Sequence, residues 1–362
     1  MKKLMRVASL AAIVALAIAG CASAPTTTAA KSGGSAAANF KACMVSDAGG
    51  FEDKSFNQSG AEGLDKAKKD LGVKEVKVES TASTDFTPNI DSLVQQDCNL
   101  IIAVGFSLEA ATHAAAVANP TMNFALVDQA FVGANSAPIT LKNAKPLLFN
   151  TQEAAFLAGY VAAGMSKTGT VATFGGMQLP SVTIFMDGFS DGVTQYNTDA
   201  GTKVKVLGWD KKAQTGSFTG DFDNQANGQN LAKGFIDQGA DIIMPVAGPV
   251  GRGAAAAAKA AGNTMIIGVD KDWFESAPEY SDIVLTSVIK QIGTSVYDTV
   301  KQSVDGKFVA DPYVGTLKNA GVDLAPFHSF DSKVPAELKK KVADLKAAII
   351  SGDLKITSKS QN

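Results

Sequence analysis

The stretch Met44–Gly60, MVSDAGGFEDKSFNQSG, decides the fold. An apolar run stops at Asp47, glycines and acids come next, and Phe56 and Asn57 stand together where a helix begins. A strand that passes through a polar, glycine-bearing turn into a helix is the opening unit of a parallel α/β sheet. Ligands of such sheets sit beyond the carboxyl ends of the strands, so a bare ring beside hydrogen-bonding side chains in that turn marks a binding edge rather than a surface loop.

The pattern repeats outward from there. Short apolar runs, KACMVSD, VKEVKVES, LIIAVG and NFALVD, alternate with helix-like pieces such as Gln58 to Leu71, where Ala61, Leu64, Ala67 and Leu71 share one face. TVATFGG, KVKVLGW, DIIMPVAG and TMIIGVD continue the rhythm, separated by helical stretches beginning at Thr151, Val182, Asn224 and Arg252. Such alternation implies parallel sheets covered by helices on both faces. About 320 residues exceed one core of this kind and suit two. The expected fold class is therefore α/β, with two doubly wound lobes. The break falls near Asn150: residues 40–150 form the first lobe with a returning segment near 287–312, and residues 151–286 form the second with 313–356. The late segments read as crossings between lobes, with a cleft between them.

The residues at the carboxyl ends of these strands are then the candidate site. The runs end in Asp47, Gly105-Phe106, Asp128, Gly175-Gly176, Ala247-Gly248-Pro249 and Asp270, with Lys290 at the end of a later strand. Carboxylates and glycines converge on one edge.

The N-terminus addresses the chain outward. Lys2, Lys3 and Arg6 precede an apolar stretch from Val7 to Ile18 that closes on Ile18-Ala19-Gly20-Cys21, a secretion signal over residues 1–20. The stretch is shorter than the ~20 residues a membrane-spanning helix needs. The small-residue-Cys ending resembles a bacterial lipobox, which makes Cys21 the acylated first residue of the mature chain. Residues 21–39, rich in Ala, Thr, Ser and Gly, lack the apolar surface to fold and read as a disordered tether.

The chain carries 33 basic and 35 acidic residues, and loss of the leader's three cations takes the net charge from −2 to −5. With charges interspersed, apart from Lys339 to Lys341 on a helical face, no nucleic-acid partner is expected. Two cysteines remain after Cys21. Cys43 and Cys98 each open an apolar strand, and the first and third strands of a doubly wound sheet are commonly neighbours. In an exported chain they are candidates for a disulfide, the alternative being two buried thiols.

Taken together, SDAGGFEDKSFNQSG, LIIAVGF, NFALVD, EAAFLAGYVAA, FMDGFSDGV, VAGPVGRGAAAAA, IIGVDKD and TSVIK resemble the basic membrane protein family of lipoprotein nucleoside receptors, and the resemblance runs in order through residues 40 to 350. It implies a type I periplasmic-binding-protein fold that closes by a hinge on a nucleoside, a purine rather than a pyrimidine nucleoside, as a monomer serving the permease subunits of an ABC importer and tied to the membrane by its lipid. Carried onto this sequence, Phe56 stacks on one face of the base and Phe218 on the other, with Trp209 and Phe222 close by in sequence. Asp47 and Asn57 address the base edge. Asp128, Asp270 and Lys290 address the ribose or the base rim, and Gly248 offers backbone close to the ligand.

Other readings of these residues stand beside this one. Without the resemblance, Phe56 is a hydrophobic staple beneath a helix start, Asp47 and Asp270 are helix caps, and Lys290 is a solvated lysine. GPVGRG, Gly248 to Gly253, precedes a helix and suggests a phosphate site through Arg252, but it lacks the order of a dinucleotide fingerprint. GGFEDKS has the Lys-Ser of a phosphate loop but no glycine immediately before Lys54, and is not one. With two histidines, His113 and His328, and no Cys/His spacing for a metal, neither catalysis nor a cofactor is expected. A nucleoside hydrolase and a surface adhesin or sensing receptor are the rival functions.

Overall fold

The computed structural model describes residues 34–133 and 137–360. The signal segment, Cys21 and most of the expected tether lie outside the described residues. The tether is shorter than expected: Gly34–Asn39 is a helix, α1. Ala37 in it is buried against the first lobe and accepts the Phe40 N–H at 3.0 Å. Alanine favours helix intrinsically, so contact with the folded body is enough to order this end.

The rest of the chain forms two sheets. The first contains β1 (Lys41–Ser46), β2 (Lys74–Val78), β3 (Leu100–Val104), β4 (Asn123–Val127) and β5 (Ala144–Phe149). The second contains β6 (Thr170–Gly175) and β7 (Lys205–Leu207). A small hairpin, β8 (Trp209–Asp210) with β9 (Thr215–Gly216), then leads to β10 (Ile242–Val246), β11 (Met265–Asp270) and β12 (Val284–Lys290) of the second sheet. Late strands complete both: β13 (Tyr313–Gly315) joins β5, and β14 (Val322–Leu324) pairs antiparallel with β12. The strand orders are β13-β5-β4-β3-β1-β2 and β14-β12-β11-β10-β6-β7, the same winding twice.

The strands alternate between two buried faces, as parallel strands covered on both sides must. Met44, Ile102 and Val104 face one apolar cluster while Cys43, Val45, Ile101 and Ala103 face another. In the second lobe Ile242 and Met244 face one side, and Ile243 with Phe174 the other. The helices that cover the first sheet are α2 (Phe56–Leu71), α3 (Phe86–Gln95) and α4 (Glu109–Ala118). Those of the second lobe begin with α5 (Thr151–Met165) and α6 (Pro180–Ala200), which pack closely because a Cβ on Gly159 would sit 2.0 Å from the Phe189 carbonyl oxygen. They continue with α7 (Gln225–Asp237), α8 (Val250–Ala261) and the single turn α9 (Trp273–Ser276). After β12 the chain returns to the first lobe as α10 (Ile292–Val304), which packs on α2, and ends on the second lobe with α11 (Ala336–Ser351) against α5.

The lobe boundaries differ from the expected ones by a few residues. Ser287–Lys290 belong to β12 in the second sheet and not to the returning segment, and Tyr313–Gly315 extend the first sheet and not the second lobe. The backbone pairing decides this: β12 is registered along β11, and β13 along β5. The chain therefore crosses at Asn150, at Gln291 and between Gly315 and Val322. The crossings are tied together, since Asn150 N–H donates to Gly315 O at 2.8 Å and Gln291 N–H to Gly321 O at 2.9 Å.

Cys43 and Cys98 form a disulfide with Cα atoms 6.0 Å apart. β1 and β3 are neighbours in register, with Cys43 opposite Ile101, and this brings Cys98 to Cys43. The bridge closes a loop across 55 positions. Replacing both cysteines by alanine is expected to lower the unfolding free energy by about 2–4 kcal/mol, mainly through a less constrained unfolded chain. Urea titration of the double variant against the oxidised protein measures it.

Candidate functional site

The two sheets point their carboxyl edges at one another across a cavity of about 340 Å³, within the range of small-molecule sites. Its floor is built at both topological switch points, where neighbouring strands lead off in opposite directions. On the first lobe these are the ends of β1 and β3, Asp47 and Gly105; on the second, the loop after β10 at Ala247 and Gly248. Gly105 has φ +124°, and a Cβ there would lie 2.4 Å from the Asp47 carboxylate, so this position admits only glycine.

The turn between β1 and α2 forms a polar knot. Asp53 accepts the backbone N–H groups of Ser55 and Asn57 at 2.8 Å and of Gln58 at 3.0 Å, capping α2. Neither Asp47 nor Asp270 does so. Asn57 donates its side-chain amide to Asp47 at 2.8 Å and to Asp53 at 3.3 Å. Both N–H bonds are thereby committed and the amide orientation is fixed. Asn57 lines the cavity, and its carbonyl Oδ1 is fully buried with no hydrogen-bond partner among the described residues. A buried acceptor without a partner costs about 1–3 kcal/mol, and such atoms are rare in folded proteins.

Burial pushes the Asp47 carboxyl up to about 6, against the lowering pull of hydrogen bonds from Asn57 and the Gly49 N–H and with a smaller push from Asp53 and Asp223. Burial likewise raises Asp53.

On the opposite side, Lys290 at the end of β12 is 3% exposed. Its ammonium lies 2.6 Å from Asp128 of the first lobe and 3.7 Å from Asp270 of its own. The rings of Phe56, Phe185 and Phe149 approach it at 5.0, 5.2 and 5.6 Å. Asp270 in turn accepts the Ser55 hydroxyl at 3.0 Å across the cleft. Burial raises the Asp128 carboxyl, with Lys290 opposing it. Asp128 and Asp270 both have left-handed backbones, φ +71° and +67°. Each strains a non-glycine residue by about 1–3 kcal/mol, a cost commonly found at binding sites.

Seven of the eight expected ligand residues line this cavity: Asp47, Phe56, Asn57, Asp128, Gly248, Asp270 and Lys290. Phe218 does not. It packs edge-on to Trp209, with ring centroids 6.1 Å apart, and lies against Gly175; the ring that reaches the cavity from that loop is Phe222, beside Gly176. The backbone bridge between Gly175 and Phe218 fixes which aromatic turns inward. Arg252 is paired with Glu279 and lines no part of the cavity, which removes the phosphate reading of GPVGRG. Sequence reasoning missed Asp53, Val182 and Phe185. Asp53 carried a usable signal, an acid just before a helix start; the other two look like ordinary apolar positions of α6.

A cleft with hydrogen-bonding groups from both lobes, joined by three crossings, defines a two-lobed ligand-binding protein. The chain belongs to the Bmp family of PnrA-like ABC transporter substrate-binding proteins, whose family model matches residues 40–359. It is a substrate-binding protein and not an enzyme. It is 34% identical to the ABC transporter nucleoside-binding protein BmpA of Lactococcus lactis over 377 positions spanning 99% of each chain. Basic membrane protein A1 of Borrelia garinii is 29% identical over 87% of each. Among solved structures, an ABC transporter solute-binding protein of Aeropyrum pernix superposes with a TM-score of 0.78 at 25% identity, covering 88% of this chain and 93% of its own. Among the described residues no helix is long and apolar enough to cross a membrane.

The raised Asp47 makes a pH prediction. Between the ordinary aspartate value of 3.8 and about 6 the native state holds a proton that the unfolded chain has released. Its contribution to stability is thus present at low pH and lost as pH rises through 6. Asp47→Asn should be more stable than wild type at pH 8, with that advantage gone near pH 4, as read by denaturant titration at the two pH values.

Proposed function

We propose that the protein is an extracytoplasmic receptor that captures nucleosides in the interlobe cleft and delivers them to the permease of an ABC importer. The observation that carries this reading is the knot beneath Phe56. A flat ring stands beside a carboxylate, Asp47, and an amide, Asn57, whose N–H groups are committed and whose carbonyl oxygen has no partner among the described residues. A nucleobase has a π-face for the ring and rim N–H groups for the two acceptors. Stacking contributes about 1–3 kcal/mol without distinguishing bases, so base identity falls to Asp47 and Asn57.

Phe222 is the second-lobe ring in this reading, in place of Phe218. Asp128, Asp270 and Lys290 address the ribose, with Lys290 still able to donate to a hydroxyl beyond its bond to Asp128. Gly248, φ +50°, brings backbone to the cleft. The preference for purine nucleosides rests on the family resemblance. The ligand carries no phosphate, since each would bring negative charge toward Asp47, Asp53, Asp128 and Asp270 in a closed cleft. The similarity to the nucleoside-binding relative of Lactococcus lactis supports the nucleoside ligand, and a monomer tethered through an acyl group on Cys21 completes the proposal.

Calorimetry with guanosine, adenosine, uridine, guanine and guanosine monophosphate tests this. Purine nucleosides should bind tightest, and a monophosphate that outcompetes its nucleoside overturns the assignment. Phe56→Ala should weaken nucleoside binding by about 1–3 kcal/mol, or five- to a hundredfold. Asp270→Ala should cost guanosine far more than guanine; equal losses would remove Asp270 from the ribose.

The anchor is tested separately by fractionation. Cys21→Ala should release the protein from membranes, and retention without that cysteine would refute lipidation.

A further inference from the structure

Asp187, on α6 and fully buried, takes no part in the cavity. Its carboxylate accepts three hydrogen bonds from distant parts of the chain. The Trp209 indole N–H donates at 2.9 Å, the Gln214 amide at 2.9 Å and the Ser358 hydroxyl at 2.6 Å. All three donors are neutral. A buried carboxylate without a contacting cation depends on every such bond.

The donors belong to the two ends of the β8–β9 hairpin and to the C-terminal segment, residues 356–360. That segment is held along its length. Thr183 on α6 meets the Ser360 hydroxyl at 2.6 Å, Lys211 of the hairpin donates to the Thr357 carbonyl at 2.6 Å, and Ile356 is buried in the core.

The hairpin leads into the cleft. Directly after β9, the Ser217 carbonyl accepts the Gly175 N–H at 3.1 Å, and the Thr219 and Gly220 N–H groups donate to Gly175 and Gly176 at 3.0 and 2.8 Å. Trp209 meets Phe218 edge-on, and two residues beyond Gly220 the Phe222 ring lines the cavity. Asp187 also lies within two turns of Val182 and Phe185, the cavity residues of its own helix.

We propose that Asp187 and the C-terminal segment are positioning elements of the binding cleft: the segment clasps the hairpin onto α6, and the clasped hairpin sets where Phe222 stands. Neither touches the ligand. The proposal rests on the nucleoside reading only for the choice of titrant.

The test compares a chain ending after Ile356, the milder Ser358→Ala, and Leu338→Ala. Leu338 is a buried residue of α11 that packs against Gly164 and lines no part of the cavity. Ligand-free nitrogen-15 spectra follow the Trp209 indole and the amides of residues 219–223, and calorimetry measures guanosine affinity. Truncation should shift both sets of resonances and weaken guanosine roughly tenfold, the scale of one hydrogen bond to a charged group. Ser358→Ala should do the same to a smaller degree. Leu338→Ala should lower Tm while leaving the 219–223 amides and guanosine affinity in place, which separates positioning from general loss of stability. Unmoved 219–223 amides on truncation overturn the proposal, as does a guanosine affinity within twofold of wild type. If the intact protein binds no nucleoside, it is the nucleoside assignment that fails, and the spectra still decide the clasp.

Discussion

Lys290 is a cation buried at the junction of two lobes, and the site is organised around it. Taking an ammonium out of water costs several kcal/mol unless partners replace the solvent. Here they come from both sides of the cleft: Asp128 from the end of β4 and Asp270 from the end of β11, with three aromatic rings filling the remaining surface. Both carboxylates reach it from left-handed backbones. The cation is on one lobe and its nearer carboxylate on the other, so the pairing of Lys290 with Asp128 ties the chemistry of the site to the way the two lobes are set against each other. The hydrogen bond from Ser55 to Asp270 and the ion pair of Lys271 with Glu62 cross the same gap.

The opposite wall works by commitment rather than by charge pairing. Asp53 forms no ion pair among the described residues but receives three backbone N–H groups at the start of α2, where the helix dipole favours a carboxylate. By capping the helix, it holds Phe56 and Asn57 on the first turn. Asp47 then takes up the Asn57 amide, and Asp47, Phe56 and Asn57 together line this side of the cavity. Three residues close together in sequence thus fix the identity and orientation of the groups a ligand meets.

The second lobe presents its wall less directly. No strand ends in an aromatic there; the ring arrives on a loop that comes after a two-residue-per-strand hairpin and is pinned to Gly175 and Gly176. The Gly175–Phe218 bridge and the Trp209 indole hold Phe218 aside, and Phe222 is the ring that lines the cavity.

The sequence by itself determined whatever depends on local periodicity. The alternation of apolar runs and amphipathic helices specified two doubly wound lobes, because a strand buried on both faces and a helix buried on one have distinct patterns. Strand ends could be read as Asp47, Asp128, Asp270 and Lys290, and the neighbouring positions of β1 and β3 made Cys43 and Cys98 a candidate pair. The tertiary structure decided whatever depends on partners far away in the chain. Lys290 looked no different from a solvated lysine until β12 was registered beside β11 and its ammonium met Asp128, 162 positions distant. Gly34–Asn39 gained its helix from the surface it lies on, and the edges of the returning segment were set by which strand paired with which. Phe218 and Phe222, four residues apart on an irregular loop, share composition and context. Side-chain direction in such a loop is set by a backbone bridge to Gly175 and by the indole of Trp209, neither of which leaves a period in the sequence.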